Sequence, residues 1–228
     1  MASPRFRLMR PLALVALLGG LVVGASALAA VAIYKNDFSS RAEFKEVKRA
    51  GGKRCERGWR EKSETMRIAV TRGPEACAYE PPVRGDRPKP DHDFQAEGKV
   101  LPSTAKRVRE KAYLAISVRV GGGKSYELRV FPKGERYQLR REPDGAGFPA
   151  EGTSNAIRGI GDRNELRLRA FGSKVRAKVN DTEVANVTDG GADQLEGAKL
   201  EFALGHTGSS GKDAAGSFDK LKLSVPNR

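Results

Sequence analysis

Apolar and charged residues alternate along residues 164–187, which read NELRLRAFGSKVRAKVNDTEVANV. On both sides of the Gly172-Ser173 turn every second position is apolar, and the positions between carry charged side chains or Phe171. A period of two in two arms that are joined by a glycine turn predicts a β-hairpin with one buried and one solvated face. A second turn at Asn180-Asp181 leads into another short apolar run. The stretch therefore predicts a three-stranded meander.

The same pattern predicts further short strands in the rest of the chain. A Gly73-Pro74 turn suggests that the strand before it pairs with the strand after it. We expect residues 40–60 to form a loop with at most one helical turn, and residues 142–153 to form a second loop. Many short strands without a convincing helix predict an all-β, two-sheet antiparallel sandwich. The further predicted strands are 32–39, 65–71, 76–81, 92–101, 112–120, 126–131, 136–141, 199–204 and 217–225.

A hydrophobic helix is predicted to precede this sandwich. The basic opening MASPRFRLMR is followed by a run of Leu, Val, Ala and Gly from residue 11 to residue 23. Small residues at 25, 27 and 29 suit a signal peptidase, whereas the uncharged stretch 11–33 is long enough to span a membrane. We therefore assign residues 1–30 as a signal peptide or membrane anchor and residues 31–228 as the sandwich domain. Both alternatives place the domain outside the cytoplasm, either secreted or attached by one N-terminal transmembrane helix.

Charge and cysteine content narrow the possible chemistry. The chain has 42 Lys and Arg against 28 Asp and Glu, a net charge of +14. Cys55 and Cys77 are its only cysteines, and in an exported protein such a pair predicts a disulfide, with two buried free thiols as the alternative. Neither cysteine has a second one at ligand spacing, and His92 and His206 are isolated. We therefore predict no metal and no cofactor.

Several short motifs resemble the concanavalin A-like lectin/glucanase superfamily, which includes the laminin G-like jelly rolls. The stretch from Asn164-Glu165-Leu166 through Phe171-Gly172 to Val179-Asn180-Asp181 is similar to its "N-x-L … G … V-N-G" pattern, with Asp181 where glycine is commoner. Phe218-Asp219-Lys220-Leu221 is similar to the "F-D-N-L" closing strand, and Asn36-Asp37-Phe38 to the opening "D-x-F". The resemblance covers about residues 32–226. It implies a jelly roll of two curved sheets whose concave face often meets carbohydrate.

The sequence lacks the catalytic signature of the glycanases in this superfamily. Those enzymes carry two carboxylates on one strand, as E-x-D-x-x-E, because both must face one glycosidic bond. Here Glu110, Glu127 and Glu165 stand apart, and Asp91 and Asp93 are interpreted as a solvated strand start. No catalytic residue is predicted. A sugar hydrolase with a different carboxylate site remains an alternative.

Basic side chains occupy the predicted outward positions of four strands. If these strands are neighbours, the cations share one face and attract anionic polymers, since Arg grips carboxylate and phosphate groups with two hydrogen bonds. The alternative is a solvated face whose charge only maintains solubility. Trp59 has two interpretations, a lid packed over the edge of the core or a platform on which a sugar stacks. The predicted binding residues of this face are Arg129, Arg136, Arg140, Arg167, Arg169, Arg176 and Lys178.

These observations predict an exported, envelope-associated binding module for carbohydrate or another anionic surface polymer. The alternatives are a glycoside hydrolase of the same fold and a structural or adhesion domain without a small ligand. Nucleic acid is not an expected partner, because no nucleic-acid motif is present and export removes the usual target. Membrane contact is expected only through an uncleaved N-terminal segment.

Overall fold

The computed structural model describes residues 31–71, 75–82, 91–142, 149–189, 197–208 and 213–225, so the predicted helix within residues 1–30 lies outside the described residues. One short helix, α1 (Arg41–Glu46), lies between β1 and β2. The strands are β1 (Val31–Asn36), β2 (Lys48–Arg49), β3 (Cys55–Arg60), β4 (Thr65–Val70), β5 (Glu75–Glu80), β6 (His92–Val100), β7 (Ala112–Gly121), β8 (Lys124–Phe131), β9 (Arg136–Glu142), β10 (Pro149–Thr153), β11 (Asn164–Phe171), β12 (Lys174–Val179), β13 (Thr182–Thr188), β14 (Lys199–His206) and β15 (Ala214–Val225).

The strands form two antiparallel sheets, as the sequence predicts. The first sheet has the order β13-β12-β11-β6-β15-β4-β3, and β1 also pairs with β15. The second sheet has the order β10-β9-β8-β7-β14-β5-β2. The predicted meander of β11, β12 and β13 is confirmed at one edge of the first sheet.

The core lies between the two sheets and follows the alternation in the sequence. Leu166, Leu168 and Ala170 of β11 are fully buried, while the residues between them remain partly or largely exposed. From the other sheet and from β15, Phe202 and Phe218 meet edge to face with ring centroids 4.8 Å apart. Antiparallel strands with one face packed on a core and one face toward solvent require this period of two.

A disulfide between Cys55 and Cys77 joins the two sheets, which confirms the predicted pairing. Cys55 begins β3 of the first sheet and Cys77 lies on β5 of the second. The Cα atoms are 5.6 Å apart, within the usual range for a disulfide. The covalent link therefore closes one edge of the sandwich.

Three sequence predictions, one about strand pairing and two about loops, are wrong. The strands β4 and β5 do not pair, because the chain crosses from the first sheet to the second between them. Residues 40–60 contain β2 and β3 in addition to α1, and residues 142–153 contain β10. The strands β2, β3 and β10 lie at sheet edges, where charged residues and glycine replace the apolar alternation that reveals a central strand.

None of the helices in the described part of the chain combines the length and apolar character needed to cross a membrane.

Candidate functional site

The seven predicted binding cations do not share one face. Three of them, Arg129, Arg136 and Arg140, project from β8 and β9 of the second sheet, and the other four project from β11 and β12 of the first. Because the sheets pack with their inner faces together, their outer faces point in opposite directions. The prediction of a single basic face is therefore wrong, since alternation assigns a face within a sheet but not the sheet.

The three arginines of the second sheet are engaged with other side chains of that sheet. Arg129 donates from Nε to Glu127 Oε2 at 2.7 Å, and Arg140 lies 3.0 Å from Glu142. The Arg136 guanidinium lies over the Phe131 ring at 4.9 Å from its centroid. Most of the positive charge on this face is thereby balanced locally.

On the first sheet, Arg167 is also paired. It donates from Nε to Asp93 Oδ1 at 2.7 Å and from a terminal nitrogen to Asp93 Oδ2 at 2.5 Å. Asp93 is only 3% exposed, and its hydrogen bonds raise the pKa of Arg167 above the usual arginine value. Through this bidentate pair Arg167 contributes to the structure by joining β11 to β6, in addition to carrying a positive charge.

Arg169, Arg176 and Lys178 differ, since none has a carboxylate partner within ion-pair distance in the described ranges. The strand register places Arg169 directly opposite Arg176, and Arg167 directly opposite Lys178. Like charges at directly opposed positions destabilise a sheet. The Nε of Arg169 is also buried without a hydrogen-bond partner among the described residues. Unbalanced positive charge is therefore concentrated at this hairpin.

A cleft of about 210 Å³ opens on the same surface. Phe171 lies in it with 46% of its surface exposed, and the Arg169 guanidinium is 5.7 Å from the centroid of its ring. We call the cleft residues Arg169, Phe171, Lys174 and Arg176 the hairpin patch. Phe171 and Lys174 were missed as site residues, although the alternation already places Phe171 on the outward face beside Arg169.

The turn between β11 and β12 is fixed to the second sheet by buried charges. The Gly172 amide donates to Asp91 Oδ1 at 3.0 Å, and its carbonyl accepts from Arg119 at 2.9 Å. Arg119 is 1% exposed and lies 3.5 Å from Asp91, so the two also form an ion pair. On the other side, the Asp189 amide donates to the Ser173 carbonyl at 2.8 Å. These contacts fix the backbone from which Phe171 and Lys174 project.

Two asparagines hold the opposite end of the hairpin. Asn164 and Asn180 hydrogen-bond to each other at 3.0 Å, and each also contacts the loop before β11 through the backbone of Arg158 or Ala156. Asn180 and Asp181 both have positive φ, which a tight hairpin turn requires. The motif that carries the family resemblance therefore has a structural role here.

Trp59 lies on the edge strand β3 and is partly exposed. Its indole nitrogen donates to the carbonyl of the buried Phe38 at 2.9 Å. Trp59 also lines a cleft of about 350 Å³ together with Arg60 and Arg67. A role in sugar stacking stays a prediction.

Two glutamates lie on either side of a serine on the outer face of the second sheet. Ser117 of β7 pairs with Glu127 of β8 on one side and with Glu201 of β14 on the other. Burial raises the pKa of Glu127 although Arg129 opposes it, and burial together with the charges of Glu80 and Glu127 raises the pKa of Glu201. Beside them, burial raises the pKa of Tyr113 to about 12. The raised pKa values of these three side chains share one cause, which is burial of their polar groups away from water.

Metal binding finds no support in the parts of the chain that the structure describes, where no group of three or more His, Cys, Asp or Glu side chains is placed to hold an ion.

Comparison with known proteins identifies the fold. No family model and no curated protein matches the chain. Among solved structures, the carbohydrate-binding module CBM66 of Bacillus subtilis is 11% identical with a TM-score of 0.57, covering 79% of this chain and 96% of that one. A Bacillus subtilis protein of unknown function with a galectin-like fold is 10% identical with a TM-score of 0.61, covering 86% and 98%. The β-glucanase of Bacillus licheniformis is 10% identical with a TM-score of 0.58, covering 86% and 98%. The predicted jelly-roll fold is confirmed.

Proposed function

We propose that this protein is an exported binding module whose hairpin patch, with Lys178 beside it, binds an acidic carbohydrate polymer. One observation supports this most directly: Arg169 and Arg176 stand opposite each other beside an exposed aromatic ring, and neither has a carboxylate at ion-pair distance among the described residues. An arrangement that costs folding free energy is expected where function needs it. A bound anion would remove the repulsion.

The ligand class follows from the side chains of the patch. Two guanidinium groups and one ammonium group favour carboxylate, sulfate or phosphate groups, which arginine binds through paired hydrogen bonds. The exposed face of Phe171 offers a flat apolar surface of the kind on which the C–H face of a sugar ring packs. Anionic groups that alternate with apolar ring faces are characteristic of acidic polysaccharides. Carbohydrate-active structures with the same fold, including a carbohydrate-binding module, agree with this choice.

The export part of the proposal rests on the N-terminal sequence alone. The basic start, the apolar run and the small residues after it are typical of a signal peptide or a single-span anchor. The inter-sheet disulfide is consistent with an oxidising compartment. An acidic polymer of the cell envelope would be accessible from either location.

A binding assay with a matched charge control tests the hairpin patch. The purified protein is compared with Arg169→Ser/Arg176→Ser and with Lys124→Ser/Lys133→Ser, which removes the same charge from exposed positions in the second sheet and the turn that follows β8. We expect the wild type and the control to bind acidic polysaccharides, more strongly at low salt, and to ignore neutral ones. The arginine variant is expected to lose about tenfold or more in affinity while its stability rises by a few tenths of a kcal/mol, because the like-charge pair is gone. Equal binding by the two variants would contradict the proposal.

A second candidate function, glycoside hydrolysis, is favoured by the carboxylate row of the second sheet. Glu127 and Glu201 flank Ser117, which places their backbones about 10 Å apart, two strand spacings. Two carboxyl groups with raised pKa on one face could provide an acid and a base for an inverting reaction. Incubation of the same polysaccharides would then release new reducing ends, and Glu127→Gln and Glu201→Gln would each abolish the release. Unchanged polymers would exclude this candidate for those substrates.

A further inference from the structure

A row of residues with long polar side chains crosses the outer face of the first sheet, beginning beside the hairpin patch. Adjacent members occupy opposed positions on neighbouring strands, so they lie at one level of the sheet. The row runs from β12 through β11, β6 and β15 to β1, and consists of Lys178, Arg167, Gln95, Lys222 and Lys35. Gln95 is its neutral member, and its amide offers hydrogen bonds in both directions.

The far end of the row has the same unfavourable charge arrangement as the hairpin. Lys35 stands directly opposite Lys222, and both side chains are exposed. Lys222 faces outward because its neighbours Leu221 and Leu223 are fully buried on the other side of β15. Within the described ranges neither lysine has a carboxylate at ion-pair distance. Asp37, the next acid along the chain from Lys35, accepts a hydrogen bond from the Ser39 amide. Hydrogen bonding to Ser39 lowers the pKa of Asp37 most, and the more distant charge of Lys35 helps to lower it. Two like-charge pairs without an ion-pair partner among the described residues therefore lie at the two sides of one sheet face.

The spacing of the row defines a shape for the ligand. Five strands are separated by four intervals, so the row is about 19 Å long at the usual strand spacing. Its central part is only weakly positive because Asp93 neutralises Arg167. The positive charge is thus greatest at the two ends, at Lys222 with Lys35 and at Lys178 with the hairpin patch, although Glu183 of β13 stands opposite Lys178.

We propose that this row is a track for a linear polyanion that lies across the strands, bound at the hairpin patch and again at Lys35 and Lys222. The inference rests on the proposed function and extends it, since it identifies a second contact site and requires an extended ligand with several acidic groups. Each end binds weakly alone because its charges are solvated and screened. When one chain reaches both ends, the second contact becomes intramolecular and raises the affinity.

A length series of one acidic polymer separates the two ends. The probes are oligogalacturonates, linear chains of a single acidic sugar, graded from the disaccharide to long oligomers. Calorimetry at low salt compares the full chain with Lys35→Ser/Lys222→Ser and with Lys124→Ser/Lys133→Ser as the charge-matched control. For the wild type we expect the affinity to rise with length and then to level off once the oligomer spans the row. Lys35→Ser/Lys222→Ser should lose about tenfold in affinity for long oligomers and nothing for the shortest that bind.

The outcomes separate the track from the proposed function. Long oligomers that bind the wild type and Lys35→Ser/Lys222→Ser equally well would overturn the track and leave the hairpin patch standing. An equal loss in the control variant would also overturn it, because general charge attraction would then explain the data. Absence of binding at every length would contradict both proposals for this polymer. Melting temperatures of the variants, whose changed side chains are all exposed, verify that each is folded.

Discussion

At the scale of single residues, identical side chains in one repeating pattern have different roles. Arg167 and Arg169 both face outward from β11, yet Arg167 pairs with the buried Asp93 and Arg169 stacks near Phe171 without a carboxylate. Asp93 of β6 lies directly opposite Arg169 and diagonally from Arg167, but its carboxylate pairs with Arg167. Arg169 therefore faces Arg176 on its other side without an ion-pair partner among the described residues. Only the uncompensated arginine is available to a ligand at little cost to the fold.

His92 leads to a prediction about pH. It is fully buried on the inner side of β6, and neither ring nitrogen has a hydrogen-bond partner among the described residues. Burial, with the positive charge of Arg119 nearby, lowers the pKa of His92 to about 4, although Asp91 acts in the opposite direction. The unfolded chain binds this proton near pH 6.5, so the unfolded state holds more protons between pH 6.5 and 4.

Stability contributed by neutral His92 is therefore present above pH 6.5 and is lost as the pH falls toward 4. The free energy of unfolding should decrease across this window by up to about 3 kcal/mol on account of His92. Denaturant titrations at several pH values, repeated with His92→Leu, give the free energy of unfolding of each protein as a function of pH. The difference between the two slopes measures the effect of His92, because the other groups titrate in both proteins. Parallel curves for the two proteins would rule out the assigned pKa.

At the scale of elements, the turn of the β11–β12 hairpin is held by one partner in the other sheet and two beside strands of its own sheet. Arg119 of β7 and Asp91 before β6 hold both backbone groups of Gly172, and Asp189 after β13 holds Ser173. Gly172 has φ of 53°, which glycine adopts without strain. The hairpin patch therefore lies on a backbone whose turn is restrained from two sides.

Removal of the carboxylate should loosen this turn. Asp91→Ala removes one carboxylate that pairs with the buried Arg119 and the side-chain acceptor of the Gly172 amide, and we expect the free energy of unfolding to fall by about 2–3 kcal/mol. Amide exchange at Gly172 should accelerate more than that of the β11 core, and affinity for acidic polymer should decrease. Asp162→Ala, at an exposed loop position, serves as the control and should change none of these. Unaltered protection of Gly172 in Asp91→Ala would show that the ion pair does not position the patch.

At the scale of the whole molecule, the sandwich separates two surfaces of different chemistry. The outer face of the first sheet carries an exposed phenylalanine and, beside paired cations such as Arg167, cations that have no ion-pair partner among the described residues. On the outer face of the second sheet, Arg129 and Arg140 pair with carboxylates. The positive charge behind the net value of +14 is thus less neutralised on the outer face of the first sheet than on that of the second. The inter-sheet disulfide and the Arg119–Asp91 ion pair connect the two sheets. They hold each sheet in a fixed position relative to the other.

The sequence alone determined the central strands, the two-sheet class, the disulfide and which face of each central strand is buried. These properties follow from local periodicity and from cysteine number, because a side chain in a strand has only two directions available. Leu166 is buried and Arg167 is not for this reason alone. Edge strands such as β3 and β10 escaped prediction because little of their surface is buried, so their sequences need not alternate.

Only the tertiary structure decided which strands become neighbours when they are distant in the sequence. The separation of Arg129 from Arg167, the opposition of Lys35 to Lys222 and the pairing of Arg167 with Asp93 all join residues that are distant in sequence. Strand order and register depend on the packing of the whole core, and no local pattern encodes them. The proposed binding surface across five strands is therefore defined by the fold, although each of its side chains is already visible in the sequence.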